Sequence, residues 1–316
     1  MLVNIIILIV GFIILIKGAD IFVDGASGIA GNFKVSKMLI GLTIVAFGTS
    51  APEFAVSVKS LLVGSGDMVL GNVIGSNILN ILLILGLSAI VHPLNVKNNT
   101  VKKELPITLM ITCAFAVLLS DNLFLNSIPN SFPRGDGLIL ILFFSVFMYY
   151  LISMTRNKTT EEEQENLPSM KKSIILTLLG LAGIVLGSNF VVDGASGLAR
   201  IIGVSERMIS LTIVALGTSL PELVTSITAT KKGEYDIAIG NVVGSNIFNI
   251  GMVVGIPIAL IGGITSINFS YIDIVVMILS ALLLFVFSLN DHKISKKEGI
   301  IFLIVFITYY SYVIIG

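Results

Sequence analysis

Hydrophobic residues occur in long runs along most of this chain, and short polar segments separate them. A helix that spans a bilayer needs about 20 predominantly apolar residues. Ten segments meet this condition, five on each side of the acidic stretch TTEEEQEN at 159–166. They are 2–29, 38–62, 68–91, 105–121, 136–154, 172–199, 207–230, 237–261, 271–289 and 298–315. The pattern predicts an all-α polytopic membrane protein with ten transmembrane helices.

The two halves of the chain repeat each other without a gap. Each residue of segment 24–80 pairs with the residue 169 positions later, and about half of the 57 pairs are identical. GTSAPE at 48–53 recurs as GTSLPE at 217–222, and GNVIGSNILN at 71–80 recurs as GNVVGSNIFN at 240–249. Shared hydrophobicity alone does not align Ser, Asn and Glu residues. We predict an internal duplication, with five-helix repeats at 1–154 and 172–316 joined by a cytoplasmic acidic loop at 155–171.

An odd number of spans in each half requires the two repeats to enter the membrane from opposite sides. The chain has 19 Lys and Arg residues. With the amino terminus outside, fourteen of them lie in cytoplasmic loops, four lie outside and Lys17 lies in the first span. Positive residues concentrate in cytoplasmic loops. We therefore expect a multi-pass protein of the cell (plasma) membrane with both termini extracellular. Inverted repeats of this kind are typical of secondary transporters.

Composition agrees with this interpretation and excludes several classes of protein. The chain is 55% hydrophobic and only 12% charged, whereas a soluble domain carries about 25% charged residues. Nucleic-acid binding is not expected, because the net charge is zero and no basic patch stands out. The single cysteine, Cys113, can form neither an internal disulfide nor a thiolate metal centre.

Two glutamates, Glu53 and Glu222, occupy matching places within otherwise apolar spans. A charge within the membrane is costly, so such a residue is a candidate functional site. Pro52 and Pro221 precede them, and proline leaves the carbonyl four residues back without its helical donor. These carbonyls belong to glycines, where we expect the backbone to unwind. Each break then offers carbonyl, hydroxyl and carboxylate oxygens, the ligands that Ca²⁺ and Na⁺ prefer.

Polar residues in the third and eighth predicted spans extend this oxygen-rich centre. Two pairs lie four residues apart and therefore share a helix face: Ser76 with Asn80, and Ser245 with Asn249. Asn77 and Asn246 lie one position round the helix. We expect these two amides to cap or hydrogen bond a neighbouring helix.

These motifs resemble the α-repeats of the sodium/calcium exchangers, within the calcium/cation antiporter superfamily. The resemblance covers nearly the whole chain and is to compact prokaryotic members. It implies a secondary active antiporter that exchanges Na⁺ for Ca²⁺ by alternating access, with the first and sixth spans sliding across the others. It implies no enzyme activity and no cofactor. The expected partners are the two ions and the lipid bilayer, with no obligate protein partner.

The resemblance also implies a set of ion ligands. Glu53 and Glu222 would bridge a central Ca²⁺ together with the backbone carbonyls of Thr49 and Thr218. The remaining ligands would be Ala46, Ser50 and Ser245 for one Na⁺ site, Ala215, Ser219 and Ser76 for another, and Asn80 and Asn249 in the middle. Some relatives, including potassium-dependent exchangers, have an acid at the position of Asn249. The amide here disfavours K⁺ transport and leaves two full negative charges.

Two related functions stay open, namely an H⁺/Ca²⁺ antiporter and a K⁺-dependent Na⁺/Ca²⁺ exchanger of the same fold. An intramembrane aspartyl protease is disfavoured, although the GxGD motif at 64–67 and the Tyr235-Asp236 pair match its signature. A protease of this class needs two adjacent aspartates. Asp67 and Asp236 are expected at opposite membrane surfaces, about 30 Å of hydrocarbon apart.

Overall fold

The computed structural model describes residues 1–120, 131–156, 168–204, 213, 215–264 and 270–315. Within these ranges the chain is mainly helical, as predicted. Among the described residues, six helices are long and apolar enough to cross a membrane, and a bent pair at Lys37–Thr49 and Ala51–Leu62 makes a seventh span if counted as one. Ten spans therefore stay a prediction. Most of the acidic loop at 155–171 and most of the start of the seventh predicted span, at 207–212 and 214, lie outside the described residues.

The helices are numbered here in chain order. They are α1 (Leu2–Phe33), α2 (Lys37–Thr49), α3 (Ala51–Leu62), α4 (Gly66–Val91), α5 (100–118), α6 (Arg134–Arg156), α7 (Met170–Ile201), α8 (Ala215–Thr218), α9 (Leu220–Lys231), α10 (Tyr235–Leu260), α11 (Tyr271–Leu289) and α12 (Lys296–Ile315). Strands β1 (Leu94–Asn95) and β2 (Lys293–Ile294) pair antiparallel, and an isolated bridge joins Phe132 to Ile264. Helices α1 and α7 each extend beyond their predicted ends.

Helices α1 and α7 pack against each other along most of their length. Gly11 abuts Val191 and Gly25 abuts Thr177, so the two helices run antiparallel. The approach depends on glycine, because a Cβ added at Gly180 would lie 2.4 Å from the backbone nitrogen of Phe22. Since α7 repeats α1 after 169 residues, the contact joins the same segment of the two halves.

Helices α4 and α10 lie at the centre of the molecule and are mostly buried. The larger hydrophobic core is built around them, and it includes Val73, Leu82 and Val243. Helix α2 packs closely on α10, where a Cβ at Gly41 would lie 3.0 Å from the Cα of Gly240. This arrangement places the four repeated motifs of the sequence next to one another. They are 48–53, 71–80, 217–222 and 240–249.

Candidate ion-binding site

The repeated motifs 48–53 and 217–222 each contain a helix break of a single residue. Ser50 separates α2 from α3 with φ −83° and ψ 5°, and Ser219 separates α8 from α9 with φ −89° and ψ 3°. The helices flanking Ser50 are bent by 44°. Pro52 and Pro221 lie in the first turn of the following helices, where an N–H would have no partner within the helix that begins there.

The predicted unwinding at Gly48 and Gly217 is wrong. Both glycines lie inside the short helical segments that precede the breaks. They are instead sites of close packing on α7: a Cβ at Gly217 would lie 2.2 Å from Val192, and one at Gly48 would lie 3.2 Å from Leu181. The helix ends two residues after each glycine, at Ser50 and at Ser219, and the backbone changes direction at these serines.

The two predicted carboxylates are buried and are bonded crosswise between the breaks. Glu53 is 0% exposed and Glu222 is 1% exposed. Ser50 donates its hydroxyl to Oε1 of Glu222 at 3.1 Å, and Ser219 approaches Oε1 of Glu53 at 3.5 Å. Ser219 also lies 3.3 Å from the hydroxyl of Ser76. Both carboxylates are buried beside the two breaks, so a bound cation would offset the cost of burying two negative charges.

Five buried oxygens of the predicted ion ligands have no hydrogen-bond partner among the described residues. Two belong to the carboxylates, Oε2 of Glu53 and Oε2 of Glu222, and the other three are Oδ1 of Asn80, Oδ1 of Asn249 and Oγ of Ser245. Buried polar atoms are normally hydrogen bonded. Five unpartnered oxygens, two of them on carboxylates, are suited to a hard cation. In the described ranges, no group of three His, Cys, Asp or Glu residues occurs that could hold a metal ion, so the other ligands of a cation here would be amide, hydroxyl and carbonyl oxygens.

The amides of α4 and α10 are oriented by one another. Asn80 donates to Oδ1 of Asn246 at 3.0 Å, and Asn249 donates to Oδ1 of Asn77 at 3.1 Å. The predicted role of Asn77 and Asn246, hydrogen bonding to a neighbouring helix, is confirmed. Each helix is π-helical from its last asparagine, over Asn80–Leu85 and Asn249–Val254, a distortion that is frequent at functional sites.

The other predicted ligands lie at or beside the breaks. The carbonyl of Ala46 accepts from the backbone N–H of Ser50 at 3.0 Å. The Thr49 hydroxyl donates to Oδ1 of Asn241 at 3.0 Å. Ala215 and Thr218 are the first and last residues of α8, directly before the second break. The structure thus gathers the breaks, α4 and α10 at one centre, and the ion-ligand roles stay predictions.

Two further asparagines lie at the site and were not predicted from the sequence. Asn241 donates to the Ser226 hydroxyl at 2.9 Å and to the Glu222 carbonyl at 3.4 Å. Asn72 donates to the Glu53 carbonyl at 3.4 Å. Asn72 and Asn241 form an identical pair in the repeat, and that identity was the available signal. Both amides fix the backbone that carries the glutamates.

Ion pairs and a hydrogen bond join α1 and α2 to the turn between α9 and α10. Lys232, in the turn between α9 and α10, contacts Asp20 at 2.7 Å and Asp24 at 2.6 Å, both on α1. Lys37 contacts Glu234 at 2.7 Å, and the Ser27 hydroxyl donates to the same carboxylate at 3.0 Å. Partial burial of Lys232 opposes its charge, but the two aspartates outweigh this effect and raise the pKa of Lys232.

Comparison with known proteins identifies the family of this chain. The family described as "Sodium/calcium exchanger protein" matches residues 3–153 and 172–315. The chain is 36% identical to inner membrane protein YrbG of Escherichia coli K12, over 83% of this chain and 82% of that protein. It is 33% identical to sodium/calcium exchanger MaX1 of Methanosarcina acetivorans, over 97% of each.

Solved structures agree with the sequence comparison. The chain superposes on the sodium-calcium exchanger NCX_Mj, in a crystal soaked with 10 mM Na⁺ and no Ca²⁺, with a TM-score of 0.86. The two sequences are 33% identical and 98% of each chain is covered. A crystal of the same exchanger soaked with 10 mM Na⁺ and 10 mM Sr²⁺ gives a TM-score of 0.84 at 34% identity. The resemblance inferred from the repeat motifs is confirmed, and this chain belongs to the sodium/calcium exchanger family.

Proposed function

We propose that this protein is a secondary active antiporter that exchanges Na⁺ for Ca²⁺ across the membrane by alternating access. The observation that carries the proposal is the crosswise arrangement of Ser50 with Glu222 and of Ser219 with Glu53, surrounded by buried unpartnered oxygens. The family membership of the chain supports the same activity. The protein is a transporter, not an enzyme, and the proposed exchange needs no cofactor and no partner protein.

Charge explains why one divalent ion and monovalent ions compete at this centre. Glu53 and Glu222 carry two negative charges, which one Ca²⁺ neutralises. We assign the central Ca²⁺ to these carboxylates with the carbonyls of Thr49 and Thr218, and Na⁺ to the flanking oxygens. The flanking ligands are Ala46, Ser50 and Ser245 on one side, Ala215, Ser219 and Ser76 on the other, and Asn80 with Asn249 between them.

The proposed architecture is ten spans arranged as two inverted five-helix repeats. The antiparallel contact of α1 with α7 supports this arrangement, since these helices are related by the 169-residue repeat. Residues related in this way point in opposite directions only if the halves are inverted. We further propose that both termini are extracellular and that residues 159–166 are cytoplasmic. A cysteine placed in 159–166 should then be labelled only from the cytoplasmic side, and external labelling would reject the orientation.

Alternating access requires the centre to be closed at one end while it is open at the other. Lys232 and Glu234 hold α1 at the end that carries the turn between α9 and α10. The residues 169 positions earlier are Val63 and Ser65, which cannot form the same ion pairs. We infer that this structure is closed at the Lys232 end, which the proposed orientation places in the cytoplasm.

The two related functions make different demands on the site. The neutral amide of Asn249 disfavours both K⁺ and H⁺ coupling here, because it provides neither a third negative charge nor a titrating group. Na⁺ coupling therefore accounts best for the side chains present.

Radiolabelled Ca²⁺ uptake into proteoliposomes tests the proposal. Vesicles loaded with Na⁺ and diluted into Na⁺-free medium should take up Ca²⁺, and vesicles without a Na⁺ gradient should not. Replacing the internal Na⁺ by Li⁺ or K⁺ should abolish uptake. A pH gradient without a Na⁺ gradient should not drive uptake either. Uptake driven by a pH gradient would favour the H⁺/Ca²⁺ antiporter, and a requirement for K⁺ together with Na⁺ would favour the potassium-dependent class.

A further inference from the structure

Ser188 of α7 donates its hydroxyl to the backbone carbonyl of Gly217 at 2.9 Å. This carbonyl is the one that Pro221 deprives of its helical donor, because proline has no N–H four residues later. Ser188 is buried, with 6% of its surface exposed. The side chain therefore supplies, from another helix, the hydrogen bond that the second break lacks.

The first break has no equivalent support from α1. The residue related to Ser188 by the repeat is Ala19, which is fully buried and has no side-chain donor. Pro52 frees the carbonyl of Gly48 in the same way that Pro221 frees that of Gly217. The segments 48–53 and 217–222 differ at one position only. A side chain of α7 nevertheless donates a hydrogen bond to the second break, whereas Ala19 of α1 has no donor for the first.

We propose that Ser188 is a positioning residue that fixes the second break and thereby sets the Na⁺ affinity of the ligands attached to it. Ser219 is two residues from Gly217 and reaches both Glu53 and Ser76, so a shift of the Gly217 peptide moves this hydroxyl. The engaged carbonyl points to α7 and is held away from the ion ligands. The inference rests on the proposed exchange function.

Loss of the hydroxyl leaves a buried carbonyl without a partner, which costs about as much as one hydrogen bond. Rotation of the Gly217 peptide can bring the carbonyl to another donor, and this rotation moves Ser219 from its position. The Na⁺ concentration that gives half-maximal exchange should therefore rise about 3- to 10-fold in Ser188→Ala. The half-saturating Ca²⁺ concentration should change less, because the central carboxylates keep their own contacts.

The experiment compares three variants with the parent in Na⁺-dependent uptake of radiolabelled Ca²⁺. Ser188→Ala should show the rise in half-saturating Na⁺ with a maximal rate per folded molecule near that of the parent. Ser188→Thr keeps the hydroxyl and should restore the parent value. Ser196→Ala is the matched control, because Ser196 is a buried serine of the same helix whose hydroxyl has no partner in the described part of the chain.

A purely structural role for Ser188 would lower the amount of folded protein and the maximal rate while leaving half-saturation unchanged, and that result would overturn the inference. Equal shifts in Ser188→Ala and Ser196→Ala would overturn it as well. Displacement of bound Ca²⁺ by Na⁺ from the purified protein gives a second readout. If the parent binds Ca²⁺ without exchanging it, the proposed exchange function is wrong. The effect of Ser188→Ala on Na⁺ affinity is then still measured by displacement of bound Ca²⁺. If the parent binds no Ca²⁺, both proposals fail.

Discussion

Asn77 and Asn246 exchange hydrogen bonds across the centre of the molecule: Nδ2 of each donates to the backbone carbonyl of the other at 3.3 Å. The two residues are 169 positions apart, which is the period of the repeat. Their Oδ1 atoms accept from Asn249 and Asn80, respectively. The four amides therefore form one hydrogen-bonded unit. Within it, Asn80 and Asn249 use their Nδ2 groups as donors, and their Oδ1 atoms have no donor among the described residues.

Removing one amide from this unit should destabilise the protein. Asn246→Ala leaves the carbonyl of Asn77 and the amide of Asn80 without their buried partners, which costs about 1–3 kcal/mol. A lower midpoint of thermal unfolding in detergent would measure this loss. Ser288→Ala is the control, since the buried Ser288 hydroxyl has no partner within the described ranges, and it should stay within about 0.5 kcal/mol of the parent. Equal stability of the two variants would contradict the prediction.

Neutralising either central carboxylate should abolish Ca²⁺ exchange. Glu53→Gln and Glu222→Gln each remove half of the charge that compensates a divalent ion, while the shape of the side chain is kept. Glu104→Gln is the matched control, because Glu104 is also buried but is bonded to Tyr150 away from the two breaks. Uptake of Ca²⁺ per folded molecule checks all three variants. Near-normal uptake in the Glu53 and Glu222 variants would exclude the proposed Ca²⁺ site.

Breaking the ion pairs of Lys232 should open the end of the molecule where they lie. We expect Lys232→Met to increase the rate at which a water-soluble maleimide labels Ser27→Cys, in a Cys113→Ala background. Lys231→Met provides the control at the neighbouring position. The pairs are partly exposed, so salt should raise the labelling rate of the parent by screening them. An unchanged rate in Lys232→Met would mean that these pairs do not hold α1.

The pH dependence of this contact follows from the raised pKa of Lys232. A cationic group with a raised pKa stabilises the folded contact below its ordinary pKa and loses this effect as the pH rises through the raised value. Lysine ordinarily titrates near pH 10.4. The ratio of the labelling rate in Lys232→Met to that in the parent cancels the titration of the shared cysteine thiol. This ratio should therefore be constant from about pH 6 to about pH 9 and fall toward one only at more alkaline pH.

A side chain placed between α1 and α7 should prevent the two helices from packing. Gly25→Val is expected to destabilise the fold by about 3 kcal/mol or more, because even a Cβ at this position would lie 2.4 Å from the backbone of Thr177. The yield and the unfolding midpoint of the purified protein would report the effect. Gly135→Ala is the control, since a Cβ there would meet nothing within 4 Å, and a normal midpoint for Gly25→Val would contradict the packing.

The sequence predicted the residues at the centre because their chemistry is unusual for their surroundings. Glu53 and Glu222 are charges in apolar spans, and their repetition located both breaks. Contacts between distant helices were not predictable in the same way. Ser188 is one hydroxyl among several in its span, and nothing local links it to Gly217. The contact of Lys232 with Asp24 joins residues 208 positions apart, so only the folded chain reveals it.

The glycines were interpreted incorrectly for a related reason. A glycine four residues before a proline indicates a flexible backbone when the chain is considered alone. In the folded protein, Gly48 and Gly217 are small because α7 passes beside them. Local patterns specify the break, whereas the size of the glycine beside it is specified by α7, a helix that packs there only in the folded protein.

The contact of α1 with α7 also has a mechanical consequence. Side chains of each helix fit against glycines of the other along its length, from Gly11 at Val191 to Gly28 at Ser173. One helix cannot slip past the other without driving side chains into backbone, so we expect the pair to move as one rigid unit in the proposed alternating access. Because the two helices are antiparallel, a displacement that carries the carboxyl-terminal end of α1 outward at one side of the molecule would draw the carboxyl-terminal end of α7 inward at the other. Opening at one side and closing at the other would then be the same displacement, with no separate signal between them.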